Sequence, residues 1–381
     1  MLVDIHPDPF IGGSEAAFRA RIDDLAGRAD TLTEDEFRVE AMRLLANRDR
    51  DGHTGIVPFA QSDDLVHAWP IALYAFEEGM YVVDAMPPHR QLIGLRLVRI
   101  EGRPLREVER LVRPLVTRDN AWSLRARLPA YLVVPEVLAG LGLLRTGAPA
   151  LTFEGPNGTT LGVTPEPIPV SAYRAWRRMF DPLVPPSLPP DDDGPVYLRN
   201  RAEFFWSRIV DDAVYVGYNQ VQATSPSGVS LSDLIDRIRR QLERAHGDRI
   251  VVDLRHNPGG NNGTYAPLRY MLERRARAIP GSVVLLVGRS TFSAAANFVT
   301  ETSAARGVAT VGEPTGGAPN QFGDPTRVVL PASGLVVSLA TWGWEFAPGD
   351  DSLTIEPDVR VPVSWADFAA GRDPALEAAL R

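Results

Sequence analysis

Three segments in the second half of the chain combine residue types that could form and stabilise an acyl intermediate. The sharpest is Val283-Val284-Leu285-Leu286-Val287-Gly288-Arg289-Ser290-Thr291-Phe292-Ser293-Ala294-Ala295-Ala296, an apolar run, a short turn and a serine leading into small residues. A hydroxyl at the start of a helix meets backbone N–H groups and the positive end of the helix dipole, where a developing oxyanion is favoured. Serine is equally a common helix cap, so the segment alone leaves both roles open. In Asp253-Leu254-Arg255-His256-Asn257-Pro258-Gly259-Gly260, the paired glycines can turn backbone N–H groups toward a substrate carbonyl, or simply make a tight turn. A third glycine-rich loop runs over 312–320, and Ile355-Glu356-Pro357-Asp358 follows it.

A serine nucleophile needs a base. All 40 basic residues are arginine, so a serine–lysine pair is excluded. The chain has no cysteine, which removes thiol nucleophiles, thiolate metal sites and disulfides. Six histidines remain as candidates.

The elements around these segments read as follows. Helices are expected within 13–48, where Thr33-Glu34-Asp35-Glu36 forms a capping box ahead of Phe37, Val39 and Met42. Strands are expected over 70–83, and residues 1–85 are read as one N-terminal segment. Residues 86–165 are expected to form a second unit: 92–100 alternates as a strand, turns at Glu101-Gly102-Arg103-Pro104 and leads into a helix over 105–116. The proline-dense stretch 166–195 reads as a linker. Across 196–381, strands at 213–218, 249–254, 282–287 and 308–312 alternate with helices at 231–245, 265–276 and 293–305, which predicts a largely parallel sheet. Ligands in such sheets sit beyond the strands' carboxyl ends, where the loops after Leu254, Val287 and Gly312 converge.

Taken in order, these motifs resemble those of the carboxy-terminal processing (tail-specific) serine peptidase family. The resemblance covers about the last half of the chain and extends more weakly to Asp51-Gly52-His53-Thr54. It implies an α/β, crotonase-like (ClpP/crotonase) core, Ser293 as nucleophile, and an oxyanion site built from the N–H groups of Gly259 or Gly260 and of Ala294. The family's lysine falls at Ala318. Tricorn-type relatives use a serine, a histidine and a carboxylate instead, which implies His53 as general base and Asp351 as the orienting acid, with Asp350 and Glu345 near it in sequence. A histidine base predicts loss of activity as a group titrating near neutral pH is protonated. His256, inside the glycine motif, is the rival base. The stretch 94–104 is similar to the opening of a PDZ module, which implies a PDZ-like unit that binds chain ends, or else a lid that shapes the cleft.

The whole-chain properties are consistent with such an enzyme. With 381 residues, 44% of them hydrophobic and 23% charged, the chain is expected to be a soluble protein of two or three domains. The net charge of −8, with arginine interspersed among acidic residues, excludes the basic stripe of a nucleic-acid binder. The most apolar run, 283–287, falls far short of the roughly 20 residues of a membrane span. The start, Met1-Leu2-Val3-Asp4-Ile5-His6, lacks a basic region followed by an apolar one, so a cytoplasmic protein is expected. No metal or organic cofactor is expected. The expected activity is hydrolysis of peptide or protein substrates through a Ser-His-acid triad and a covalent acyl-enzyme. A non-catalytic binding protein, or an amide or ester hydrolase or acyltransferase of small molecules, are the alternatives on the same fold.

Overall fold

The computed structural model describes residues 2–46, 50–144, 150–177 and 194–381. The chain divides into two compact units, Met1–Met179 with Phe322–Trp344, and Phe180–Gln321 with Glu345–Arg381.

In the second unit, every residue of the apolar run Val283–Val287 is buried, because strands flank it on both sides and packed side chains cover both faces. Its six-stranded sheet has the order Val359–Arg360, Val308–Gly312, Val283–Val287, Ile250–Asp253, Ala213–Tyr218, Phe205–Val210. All neighbours are parallel except the last strand, which pairs antiparallel with Ala213–Tyr218. The pleat sends Val216, Val252, Val283 and Leu285 into one core, together with residues of the helices Leu231–Leu242, Ala266–Ala278 and Ala294–Ser303. It sends Tyr215, Val251, Val284 and Leu286 into another, which Ala375, Leu376 and Ala379 of the final helix Pro374–Leu380 complete. The strand Phe205–Val210 was not anticipated, because Ser207 and Arg208 interrupt its apolar pattern.

The first unit is built on antiparallel strands in the order Ile71–Phe76, Gly79–Ala85, Arg96–Ile100, Leu151–Glu154, Thr160–Val163. One core joins this sheet to Val39 and Met42 of the helix Glu34–Ala46, Val108 and Val112 of the helix Leu105–Val112, and Leu124 and Leu128 of the helix Ala121–Tyr131. Leu335, Val337 and Leu339, from the segment that returns after the second unit has begun, belong to the same core. The expected boundary at 85/86 therefore falls inside one sheet. The expected linker also begins as structure: Ile168–Pro169 pairs with His67–Ala68, and the helix Val170–Trp176 buries Val170 and Tyr173. Its prolines from Pro182 to Pro190 lie outside the described residues. Among the described residues, no helix is long and apolar enough to cross a membrane.

Candidate active site

Ser293 ends the turn after the strand Val283–Val287 and stands at the N-cap of the helix Ala294–Ser303, with φ 54° and ψ −131°. Non-glycine residues rarely occupy this region, and holding one there costs on the order of 1–3 kcal/mol. The Ser293 side chain makes no capping hydrogen bond to its helix, so ordinary capping does not account for it.

Neighbouring groups hold the turn in place. The Thr291 hydroxyl donates to the Leu254 carbonyl at 2.8 Å and accepts from the Gly288 N–H at 3.0 Å. The Phe292 N–H donates to the Asn257 carbonyl at 3.1 Å, and the Gly317 N–H donates to the Thr291 carbonyl at 3.0 Å. Gln321 Nε2 donates to the Ser293 carbonyl at 3.1 Å and to Asn297 Oδ1 at 2.8 Å. A buried ion pair, Arg289 with Glu313, ties this turn to the loop after Gly312.

Two glycines approach Ser293 so closely that no side chain fits. A Cβ on Gly259, where φ is 108°, would lie 2.6 Å from Ser293 Cβ and 2.9 Å from the Ala294 nitrogen. A Cβ on Gly317 would lie 2.5 Å from Ala296 Cβ and 3.3 Å from the Ser293 nitrogen. The Gly259 N–H is already committed, donating to Asn257 Oδ1 at 2.9 Å. At Gly260 the bridge to Val221 uses the flanking groups: the Val221 N–H donates to the Gly259 carbonyl and the Asn261 N–H to the Val221 carbonyl. The Gly260 N–H therefore points away from Val221. The Ala294 N–H lies in the first helical turn, where no intrahelical acceptor exists.

Arg255 forks between Asp253, at 2.6 Å, and Asp373, at 2.7 Å. Asp253 also accepts from the Tyr215 hydroxyl at 2.6 Å. Burial pushes the Asp253 carboxyl up, but Arg255 and the Tyr215 hydrogen bond outweigh it, so it stays below its ordinary value. Asp373 in turn caps the final helix by accepting from the Leu376 N–H. This clasp anchors the start of the Gly259 loop. The His256 ring, next in sequence to Arg255, packs 5.5 Å from Tyr197, and among the described residues no hydrogen bond joins it to Ser293. Burial lowers its pKa to about 4, against the pull of Asp253.

Asp351 is exposed, in the loop that follows Glu345. Its neighbour Asp350 builds the turn there, its Oδ1 accepting from the Ser352 N–H at 2.8 Å and its carbonyl accepting from Asn320 Nδ2 at 3.0 Å. Ala318, at the position expected for the family's lysine, is fully buried.

His53 lies in the first unit, on a turn held by buried charges. The Gly52 N–H donates to Asp119 Oδ1 at 2.5 Å, the Gly52 carbonyl accepts from Arg127 at 2.8 Å, and the Thr54 N–H donates to Asp51 Oδ1 at 2.9 Å. Burial, and then the Arg127 cation, lower the His53 pKa to about 4, opposed by the Asp51 carboxylate and a hydrogen bond to the Phe322 backbone. The imidazole is therefore neutral well below pH 7, the form a general base requires, and the titration lies far more acidic than near-neutral.

No family model and no curated protein matches the chain. The likeness to solved structures is in the fold. A serine-to-alanine mutant of CPAF aligns over 97% of this chain and 92% of its own, with a TM-score of 0.66 at 14% identity. Mature CPAF aligns over 99% and 93%, with a TM-score of 0.62 at 14% identity. The fold is similar to that of CPAF. The photosystem II D1 C-terminal processing protease aligns over 82% of this chain and 78% of its own, at 14% identity and a TM-score of 0.35.

Ser293, Gly259, Gly260, Ala294, His256 and Asp351 thus all belong to the second unit, and His53 to the first. Asn257, Arg289, Glu313 and Gln321 around Ser293, and Asp119 and Arg127 around His53, were not singled out. They act as hydrogen-bonding supports from distant parts of the chain, and no spacing rule marks such residues. Asn257, Arg289 and Glu313 are the exceptions, since they lie inside the glycine motif, the Ser293 segment and the loop over 312–320. Among the described residues, no group of three or more His, Cys, Asp or Glu is arranged to hold a metal ion.

Proposed function

We propose that the protein is a serine hydrolase acting on peptide or protein substrates through an acyl-enzyme. The observation that carries this reading is the strained backbone of Ser293, pinned by Gly259 and Gly317. Strain of this kind persists only where surrounding structure enforces it, and it is concentrated at functional residues. Ser293 would attack the carbonyl carbon, His53 would take the hydroxyl proton and return it to the leaving amine, and Asp351 would orient the imidazole. Of the oxyanion donors expected, the Gly260 and Ala294 N–H groups are the two with no acceptor among the described residues, so we assign them that role. The neutral imidazole of His53 supports its part, and the exposure of Asp351 makes it the least supported member.

The parallel sheet with both faces covered supports a crotonase-like core. The antiparallel sheet and the helix Leu105–Val112 support a PDZ-like unit. Its edge strand Ile71–Phe76 is packed against the helix Ala121–Tyr131, which favours a cleft-shaping role over addition of a peptide strand.

A fluorophosphonate probe tests the assignment, alongside turnover of casein and short peptides. Labelling is expected in the native protein and in His256→Ala, and is expected to vanish in Ser293→Ala and fall steeply in His53→Ala. Labelling that persists in His53→Ala but is lost in His256→Ala would overturn the choice of base. Hydrolysis of aryl esters without any peptide turnover would move the reading to a small-molecule hydrolase. One structure of mature CPAF is a complex with lactacystin, so lactacystin is a suitable competitor for the probe.

A further inference from the structure

The segment 2–8 reaches the His53 turn through one buried side chain. His6 has no side-chain exposure, and its Nε2 lies 3.1 Å from Asp51 Oδ2, whose side chain is equally sealed from solvent. The His6 Nδ1 accepts from the Asp8 N–H at 3.0 Å, which places the ring proton on Nε2 and makes Nε2–H the donor to Asp51. Asp51 lies two residues before His53 and spends its other oxygen on the Thr54 N–H, one residue after it. The carboxylate thus spans the turn, and His6 fixes the carboxylate.

The second contact of His6 leads to the same place. Its ring packs 4.7 Å from the ring of Phe322. The Phe322 backbone hydrogen-bonds His53, and the Phe322 N–H donates to the Arg50 carbonyl at 3.1 Å. One imidazole therefore braces two of the groups that act on His53, the Asp51 carboxylate and the Phe322 backbone. The remaining charged groups at the turn are Asp119 and Arg127, which hold Gly52; the Arg127 cation also acts on His53 and on the Asp51 carboxylate, and His6 hydrogen-bonds neither Arg127 nor Asp119.

We propose that His6 is a positioning residue for His53, so that the segment 2–8 is working machinery of the reaction. The inference rests on His53 being the base. It predicts that His6 acts on turnover through His53 and not through the stability of the fold in general.

The experiment compares the labelling rate of Ser293, and kcat and KM, in His6→Gln, His6→Asn, His6→Ala and the double variant His6→Ala/His53→Ala. Gln places an N–H where the His6 Nε2 stands, whereas Asn is too short to reach Asp51. The rate is expected to stay close to native in His6→Gln and to fall in His6→Asn and His6→Ala, on the order of tenfold to a hundredfold. The fall should appear in kcat with KM little changed. In the His53→Ala background, His6→Ala should cause no further loss. Equal rates in the Gln and Asn variants, or a full additional loss in the double variant, would overturn the proposal. If His53→Ala alone labels at the native rate, the base assignment fails and takes this inference with it. If His53→Ala is silent while His6→Ala is normal, only this inference fails. Should His6→Ala fold poorly, the Gln and Asn pair decides alone.

Discussion

At Ser293 the backbone carries strain, and the proposed use of the hydroxyl as nucleophile would account for its being kept. A left-handed serine is a stored strain, so replacing it should separate stability from function. Ser293→Gly is expected to abolish labelling while raising stability by up to about 1 kcal/mol in urea unfolding, since glycine adopts this conformation freely but loses more entropy on folding. With His53 as the proposed base, a pKa of about 4 predicts the acid limb of kcat/KM near pH 4, with activity sustained from pH 5 through neutrality. An acid limb near 6.5 would show that the imidazole is solvated in the working enzyme. The same shifts affect stability. In the unfolded chain His53 and His256 take up protons below about 6.5, whereas in the folded chain they do so only near 4. Unfolding therefore absorbs protons across that window, and stability falls as pH drops through it. The loss is on the order of 2 kcal/mol per histidine by pH 5, and His256→Asn should remove its share. The sequence marked Ser293 and the paired glycines as candidates because their motifs are written in consecutive residues. It concealed Gln321, Asp119 and Arg127, whose partners lie 24 to 75 positions away.

At the scale of elements, the candidate site depends on two loops meeting one helix start. Gly259→Ala combines forbidden contacts with a left-handed φ, whereas Gly317→Ala meets the Ala296 Cβ and, less tightly, the Ser293 nitrogen, without a left-handed φ. Both variants should lose labelling, but Gly259→Ala should be the less stable in thermal melts. The ion pair of Arg289 and Glu313 is a harsher test, because removing one partner strands the other charge in the interior. Arg289→Met is expected to cost about 3–5 kcal/mol, and Arg289→Met with Glu313→Leu should recover much of it. The four central parallel strands were legible, since an apolar run bounded by turns has few other places to go. The strand Phe205–Val210 was not, because an edge strand with a polar middle lacks that signature. Nor could alternation reveal that 71–85 and 96–163 share one sheet, since a pleat pattern records burial and not partners.

At the scale of the molecule, the first unit is completed from a distance. Gly55 and Ser338 exchange backbone hydrogen bonds, Gln61 pairs with Val336 through its side chain, and Thr54 accepts from the Ala340 N–H. Leu335, Val337 and Leu339 fill the core there. A fragment of residues 1–179 should therefore lack a cooperative melt, and adding a peptide of residues 322–344 in trans should restore part of it. A fragment that melts sharply alone would show the return segment to be dispensable. Translation gives this threading a further meaning. The ribosome delivers residues 1–179 first, yet they cannot close their core until the chain has grown past 344. The nascent chain must wait with an open apolar seam while the whole of the Ser293 segment is made, so the His53 turn can be finished only after its proposed nucleophile already exists.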